Sequence, residues 1–256
     1  MLSNWRRRGI LLSGASFLAI CAGAAAKART IAHGVPWNAG QADTPESADS
    51  GFPQFFSPEE AAFIDAAVAR LIPADNLGPG AYEAGVTAFL DRQLGGAYGR
   101  AETWYTQGPW QKGNDTQGYQ SRLTPADFYR TAIKAIDDHC RKSFGGKRFS
   151  ELAHEQQDSV LTALEKGRID TGGVGPHPLE VEGTKDDSFF AVLMQNTLEG
   201  FFSDPLYGGN RDMAGWRLIG FPGAHYDYRP YVAQHGKKLA IQPVGLRGGP
   251  EWNSKS

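Results

Sequence analysis

The chain has 256 residues, of which 41% are hydrophobic and 21% are charged, and its formal net charge is −2. This length and apolar content are sufficient for one compact domain with its own core. The charge is acidic rather than basic, and it becomes more acidic if the basic N-terminal segment is removed, so nucleic acid is not expected as a partner.

The first 28 residues have the organisation of a cleaved export signal. Arg6, Arg7 and Arg8 precede an apolar run over 10–26, and small residues follow it. Arg7 and Arg8, a spacer and two apolar residues form the pattern of a twin-arginine signal, which serves cargo that is already folded. The apolar run is shorter than the roughly 20 residues needed to span a bilayer, so a signal is favoured over an uncleaved anchor.

Removal of residues 1–28 would leave 22 basic and 28 acidic residues and would also remove Cys21. Lipidation of Cys21 is disfavoured because the bulky Ile20 precedes it. Cys140 would then be the remaining cysteine, which excludes an internal disulfide. We expect Cys140 to be a buried structural thiol, and a mixed disulfide with another chain stays open as the alternative.

The domain organisation follows from the distribution of polar and apolar residues. Residues 29–54 are polar and rich in Pro and Gly, which predicts an extended arm or a segment that docks on a partner. Residues 55–256 carry the periodic apolar pattern of a helical domain. The chain is therefore expected to consist of a signal peptide at 1–28, an arm at 29–54 and a single helical domain at 55–256.

Helix signals recur along this domain. Ser57 and Thr124 each precede a proline, which is the pattern of a helix N-cap followed by proline at the first helical position. Together with the apolar stripes, these signals predict helices over about 58–72, 81–94, 125–144, 151–166 and 186–201. No comparable strand series is present, so the predicted fold is mainly α with long irregular loops.

The residues required for catalysis or cofactor binding are not arranged in a recognisable motif. No glycine-rich phosphate loop follows a strand, and the sequence contains no Cys-x-x-Cys-His haem attachment motif. One mature cysteine cannot hold an iron–sulfur cluster, and the six histidines form no helical pair of the zinc-binding type. We therefore expect no catalytic residue, no cofactor site and no metal site in this chain.

The stretch from Glu199 to Gly223 combines large aromatic residues with many glycines. Aromatic side chains supply rigid contact area, and glycines permit positive φ and close backbone approach. Composition alone fits an ordered surface loop and a partner-binding segment equally well.

Several motifs along the chain are shared with one known family. The longest are Asp204-Pro205-x-Tyr207-Gly208-Gly209-Asn210-Arg211-Asp212 and Gly215-Trp216-x-x-Ile219-Gly220-Phe221-Pro222-Gly223; shorter ones are Phe56-Ser57-Pro58-Glu59-Glu60, Leu71-Ile72-Pro73-Ala74-Asp75, Ala81-x-x-Ala84-Gly85-Val86-x-x-Phe89-Leu90 and Ala224-x-Tyr226-Asp227-Tyr228-Arg229. With these motifs the chain resembles the gluconate 2-dehydrogenase subunit 3 family, the small subunit of membrane-bound FAD-dependent sugar and sugar-acid dehydrogenases. The resemblance covers most of the chain after about residue 50.

The resemblance implies a heterotrimer of a large FAD-containing dehydrogenase subunit, a cytochrome c subunit carrying haem c, and this small subunit. The small subunit of such complexes carries no cofactor; it assists maturation and export of the flavoprotein and stays bound to it. The implied location is the periplasmic face of the cytoplasmic membrane, reached through the twin-arginine translocase, with membrane contact through the complex.

The implied reaction of the complex is oxidation of D-gluconate to 2-keto-D-gluconate, with electrons passed to cytochrome c and quinone. Complexes that oxidise fructose, sorbitol or 2-ketogluconate use similar small subunits and remain alternatives. Two further alternatives are a chaperone that leaves after export, and a stand-alone periplasmic binding protein or enzyme.

The residues expected to contact the large subunit lie in the two long motifs. Interface energy concentrates in large aromatic residues and arginine, and a few polar loop positions usually accompany them. This criterion selects Tyr207, Asn210, Arg211, Trp216 and Phe221 as the predicted partner interface.

Overall fold

The computed structural model describes residues 55–104, 108, 110, 122–172, 188–225, 227–237 and 241–246. These residues form six α-helices and no extended strand: α1 Pro58–Leu71, α2 Val86–Gly95, α3 Pro125–Ser143, α4 His154–Glu165, α5 Phe189–Phe202 and α6 Ala214–Ile219. Four short 3₁₀ segments cover Phe149–Glu151, Pro205–Tyr207, Arg211–Met213 and Arg229–Tyr231. The prediction of a mainly α chain is confirmed for this described part.

The start of α1 is closed by a reciprocal pair of hydrogen bonds. The Ser57 hydroxyl accepts from the Glu60 amide at 3.2 Å, and the Glu60 carboxylate accepts from the Ser57 amide at 2.8 Å. Such a capping box satisfies two amides that the helix leaves without partners. Thr124 caps α3 by accepting from the Asp127 amide at 3.2 Å, without the reciprocal bond, so both caps predicted from the sequence are present.

An aromatic cluster occupies the centre of the core, where α1, α3 and α5 meet. The ring of Phe189 lies 5.3 Å from that of Tyr129, 5.9 Å from that of Phe128 and 6.3 Å from that of Phe63. The hydroxyl of Tyr129 is not left without a partner in this core, because Asn196 Nδ2 donates to it at 2.9 Å. Helix α5 thus supplies both apolar and polar groups to the core and also contacts α1, α2, α4 and α6.

Helix α2 begins five residues later than predicted. Residues 81–85 form turns, and Gly85 adopts a left-handed conformation with φ +77°. The carbonyl of Ala84 accepts a hydrogen bond from the Arg211 amide at 2.9 Å, so it is used outside the helix. This contact between segments far apart in the chain delays the helix, and local propensity cannot reveal it.

Two other boundaries differ from the prediction. The segment expected to begin α4 near Glu151 forms a separate 3₁₀ turn, because Asp137 accepts from the Phe149 amide at 3.0 Å and holds that turn against α3. Helix α6 was not predicted, since its six residues are too few to show an apolar period.

The predicted signal peptide at 1–28, including Arg7 and Arg8, and the predicted arm at 29–54 lie outside the described residues. Within the part that the structure describes, no helix combines the length and apolar character needed to cross a bilayer.

Candidate partner interface

Residues 203–223, which contain both long motifs of the sequence, follow α5 directly and fold over its C-terminal end. We call them the capping segment. Asp204 opens the segment: it accepts from the Leu206 amide at 2.9 Å, and Pro205 occupies the first position of the 3₁₀ turn that follows. The backbone then passes through Arg211–Met213 into α6.

The last carbonyls of α5 have no hydrogen-bond donors within the helix. Side chains that follow the helix provide these donors. Phe202 O accepts from Trp216 Nε1 at 2.7 Å, and Ser203 O accepts from Asn210 Nδ2 at 2.8 Å. Gly200 O accepts from the Ser203 hydroxyl at 3.2 Å. The capping segment therefore supplies hydrogen-bond donors to three carbonyls at this helix end, where carbonyls lack partners within the helix.

Asn210 joins two parts of the capping segment. Its side chain is fully buried; Nδ2 donates to Ser203 O, and Oδ1 accepts from the Gly215 amide at 2.8 Å. Its backbone has φ +49°, a left-handed conformation that asparagine tolerates better than most residues. Asp212 and Met213 share this conformation, so the chain makes an unusually tight turn before α6.

Two glycines allow the capping segment to lie directly on the backbone of α5. A Cβ atom at position 209 would lie 2.1 Å from Gly200 O, and one at position 215 would lie 2.2 Å from Phe201 O. Both distances are shorter than any real contact of a Cβ atom, so only glycine fits. Gly209 and Gly215 therefore serve close packing at this point.

The end of α6 has the hydrogen bonds of a Schellman motif. The Phe221 amide donates to the Trp216 carbonyl at 2.8 Å, and the Gly220 amide donates to the Arg217 carbonyl at 3.3 Å. Gly220 is left-handed with φ +69°, as this motif requires. The rings of Trp216 and Phe221 pack edge to face with centroids 5.1 Å apart, which is the apolar contact that accompanies the motif.

A C-terminal stretch, residues 241–246, is attached to the capping segment. Asp204 Oδ2 accepts from the Leu246 amide at 2.6 Å, and Val244 forms an isolated parallel bridge with Gly223. The Ala224 amide donates to the Val244 carbonyl at 2.7 Å. The capping segment is thus held both by α5 and by this later stretch.

The five predicted interface residues fall into two groups. Tyr207 and Phe221 are exposed and Arg211 is half-buried, so their side chains can reach another molecule. Asn210 and Trp216 are buried and hold the capping segment on α5. Their burial limits them to positioning the segment in this conformation.

Two exposed apolar residues in the capping segment, Leu218 and Ile219, were not among the predicted interface residues. The sequence did contain a signal for a helix end at this point, because Gly220 is followed by the aromatic residue Phe221. Recognising a short helix there would have placed the two apolar residues on its last turn, where few neighbours can cover them.

Asp212 and Asp227 each have an arginine close by in the sequence, and the two carboxylates differ in their contacts. Asp227 accepts from Nε and Nη2 of Arg229 at 2.8 Å each, and this arginine lowers the pKa of the Asp227 carboxyl. No ion pair joins Asp212 to Arg211 among the described residues. Within the described ranges, neither carboxylate forms a hydrogen bond with a second acid of the kind that general acid–base catalysis uses.

A cavity of about 230 Å³ lies elsewhere, between the first turn of α1 and helix α3. Acidic and basic side chains alternate around it: Arg130 lies 3.9 Å from Glu60, and Arg148 lies 3.9 Å from Glu59. Four basic and three acidic side chains line the cavity, so charges of both signs face it. Over the described ranges, no group of three or more His, Cys, Asp or Glu side chains could hold a metal ion.

Comparison with known proteins identifies a family. The family described as Gluconate 2-dehydrogenase subunit 3 matches residues 58–223, which is more than half of the chain. The match ends at the last residue of the capping segment. A search among curated proteins and a search among solved structures each found no match. The chain belongs to the Gluconate 2-dehydrogenase subunit 3 family.

Proposed function

We propose that the chain is the non-catalytic small subunit of a membrane-bound, FAD-dependent dehydrogenase complex on the periplasmic side of the membrane. The observation that carries the proposal is the family match over residues 58–223, because its members are described as a subunit of gluconate 2-dehydrogenase. In the proposed complex, FAD belongs to the large subunit and haem c to a cytochrome c subunit.

The proposed reaction of the complex is oxidation of a secondary alcohol of D-gluconate to the ketone of 2-keto-D-gluconate. FAD in the large subunit accepts the hydride, and electrons then pass through haem c to quinone. Fructose, sorbitol and 2-ketogluconate are the other candidate substrates. This chain supplies none of the reacting groups in the proposal; it stabilises the flavoprotein.

The proposed export route explains why a small subunit would be needed. A flavoprotein must fold around FAD before it crosses the membrane, and the twin-arginine route carries folded cargo. A bound partner with Arg7 and Arg8 in its signal could take the flavoprotein through the translocase. Replacing both arginines by lysine keeps the charge and tests the signal itself.

Within this role, the capping segment is the proposed contact with the large subunit. Tyr207, Arg211 and Phe221 have accessible side chains and are proposed to touch it. Asn210 and Trp216 are proposed to act indirectly, by keeping the capping segment on α5.

Purification of a C-terminally tagged chain from membranes of the native host tests the function. We expect a stoichiometric flavoprotein, bound FAD, haem c and gluconate-dependent dye reduction in the eluate. The Arg7→Lys, Arg8→Lys double variant should leave both the chain and the flavoprotein in the cytoplasm. Recovery of the folded wild-type chain without any flavoprotein would contradict a persistent subunit role.

A further inference from the structure

We propose that residues 241–246 form a latch over the capping segment, which opens as a unit while α1–α5 stay folded and thereby exposes Met213 and Trp216. We call residues 241–246 the C-terminal strap. The strap lies beyond the residues that the family model matches. The latch is a property of the chain alone, so it does not depend on the proposed function.

The strap is tied to the capping segment and to the residue that follows it. The Leu246 amide donates to Asp204 Oδ2 at 2.6 Å. The Val244 amide donates to the Pro222 carbonyl at 3.2 Å, and the Val244 carbonyl accepts from the Ala224 amide at 2.7 Å. Among the described residues, no hydrogen bond joins the strap to α1–α5. The strap can therefore detach without breaking a hydrogen bond of the core helices.

The strap covers a small apolar group that is separate from the main core. Met213, Trp216 and Val244 are buried, yet none of them belongs to the hydrophobic cluster at the centre of the core. A Cβ atom at Gly223 would lie 2.8 Å from Trp216 Cζ3 and 2.2 Å from the Val244 carbonyl oxygen, so the indole ring and the strap flank this glycine. A Cβ atom at Gly245 would lie 3.6 Å from Met213 Cε. The strap backbone therefore lies against Met213 and, across Gly223, beside Trp216.

Few buried groups hold the strap, so opening it costs less free energy than unfolding the core. Val244 is 2% exposed, whereas Leu246 is 58% exposed. Unfolding of the core would expose the whole aromatic cluster around Phe189. Segments with few buried apolar contacts open locally at a lower free energy than core helices. The contacts of Trp216 and Asn210 with the end of α5 do not involve the strap, so they persist when it opens.

Oxidation of methionine by hydrogen peroxide measures the opening of the strap. Peroxide converts an accessible thioether to the sulfoxide, and Met213 is buried with 3% of its surface exposed. The full chain is treated with peroxide, and mass spectrometry of its peptides gives the oxidation rate at Met213. Met194 on α5 is half-buried and lies outside the capping segment, so it serves as the internal reference.

Two substitutions within the strap differ in the surface that they remove. Val244→Ala removes buried methyl groups, and Leu246→Ala, the matched control, removes exposed ones. We expect Val244→Ala to raise the oxidation rate of Met213 at least about tenfold, because the loss of buried apolar surface shifts the opening equilibrium. The control should keep the wild-type rate, and the rate at Met194 should be the same in every variant.

The dependence of the oxidation rate on urea separates local opening from global unfolding. Urea acts in proportion to the surface that a transition exposes. Below the global unfolding transition, we therefore expect the rate at Met213 to change little with urea, both in the wild type and in Val244→Ala. Val244→Thr keeps the side-chain volume and adds a buried hydroxyl, so it provides the same test if the alanine variant does not fold.

Oxidation of wild-type Met213 with the full urea dependence of global unfolding would show that the strap opens only with the whole chain, and would overturn the latch. A rate at Met213 that neither Val244→Ala nor Val244→Thr changes would show that the strap does not shield this residue, and would overturn the latch as well.

Discussion

At the scale of single residues, Asn210 occupies a position with three simultaneous requirements. It must adopt a left-handed backbone, donate to Ser203 O and accept from the Gly215 amide at the same time. Serine and aspartate lack an amide donor, and glycine has no side chain. Asparagine is suited to all three requirements because its short amide both donates and accepts.

Replacing Asn210 separates its backbone role from its hydrogen bonds. Asn210→Gly keeps the left-handed conformation and loses both bonds, which should cost about 1–3 kcal/mol of unfolding free energy. Asn210→Ala should cost a further 1 kcal/mol or so because a Cβ disfavours this conformation. Urea unfolding measures both values, and equal stability of the two variants would contradict the backbone argument.

Cys140 is buried on α3, as the sequence led us to expect, and burial raises the pKa of its thiol to about 11. At pH 8 the reactive thiolate is therefore scarce, and the thiol is also shielded. In a chain with Cys21→Ser, we expect one thiol to react with a disulfide reagent in denaturant, and almost no reaction without it. Rapid labelling of the thiol in the native chain would instead support the alternative of a mixed disulfide with another chain.

At the scale of elements, the capping segment shows how a helix end can organise the residues after it. Helix α5 ends beside the buried Phe201, and its last carbonyls lack donors within the helix. Trp216 and Asn210 provide these donors, and glycines at positions 209 and 215 permit the approach. The aromatic and glycine-rich composition of this segment thus has an internal structural cause.

A substitution that adds one methyl group at Gly220 tests the Schellman motif at the end of α6. A Cβ at Gly220 would meet nothing within 4 Å, so Gly220→Ala acts through its positive φ and should cost about 1–2 kcal/mol. Gly78→Ala is the matched control: its Cβ would also meet nothing, and its φ is not positive. Thermal unfolding should therefore show a loss at position 220 and no loss at position 78.

At the scale of the whole molecule, the ion pair between Arg70 and Asp158 joins elements that are distant in the chain. Arg70 on α1 donates to both carboxylate oxygens of Asp158 on α4, at 2.7 Å and 2.8 Å. The guanidinium of Arg70 lowers the pKa of Asp158 below its ordinary value. Because solvent reaches both side chains, we expect the pair to contribute less than about 1 kcal/mol.

A double-mutant cycle with Arg70→Met and Asp158→Asn measures this coupling by urea unfolding. The pKa of Asp158 is lower in the folded state, so its stabilisation is present above the unfolded pKa and is lost as pH falls through the folded pKa. The coupling should therefore be present at pH 7 and vanish in acid. Coupling that persists below the folded pKa of Asp158 would contradict an ionic interaction.

Local signals predicted most helices because caps and apolar stripes act within one helix. Ser57 and Thr124 start α1 and α3 where expected, and Phe128, Ile133 and Ile136 are buried as their spacing predicts. Leu198 continues the apolar run of α5 but is 42% exposed. An apolar stripe in the sequence identifies one face of a helix, but it does not show which other element covers that face.

The sequence was therefore sufficient to predict the family, the helical character and the positions of the main helices. All of these depend on residues that are close together in the chain. Tertiary contacts decided which residues of the capping segment are buried and which are accessible. Asn210 and Trp216 turned inward because the carbonyls at the end of α5 required donors. Leu218 and Ile219 remained outside because the close packing of Gly209 and Gly215 on α5 places the short α6 with its last turn in solvent.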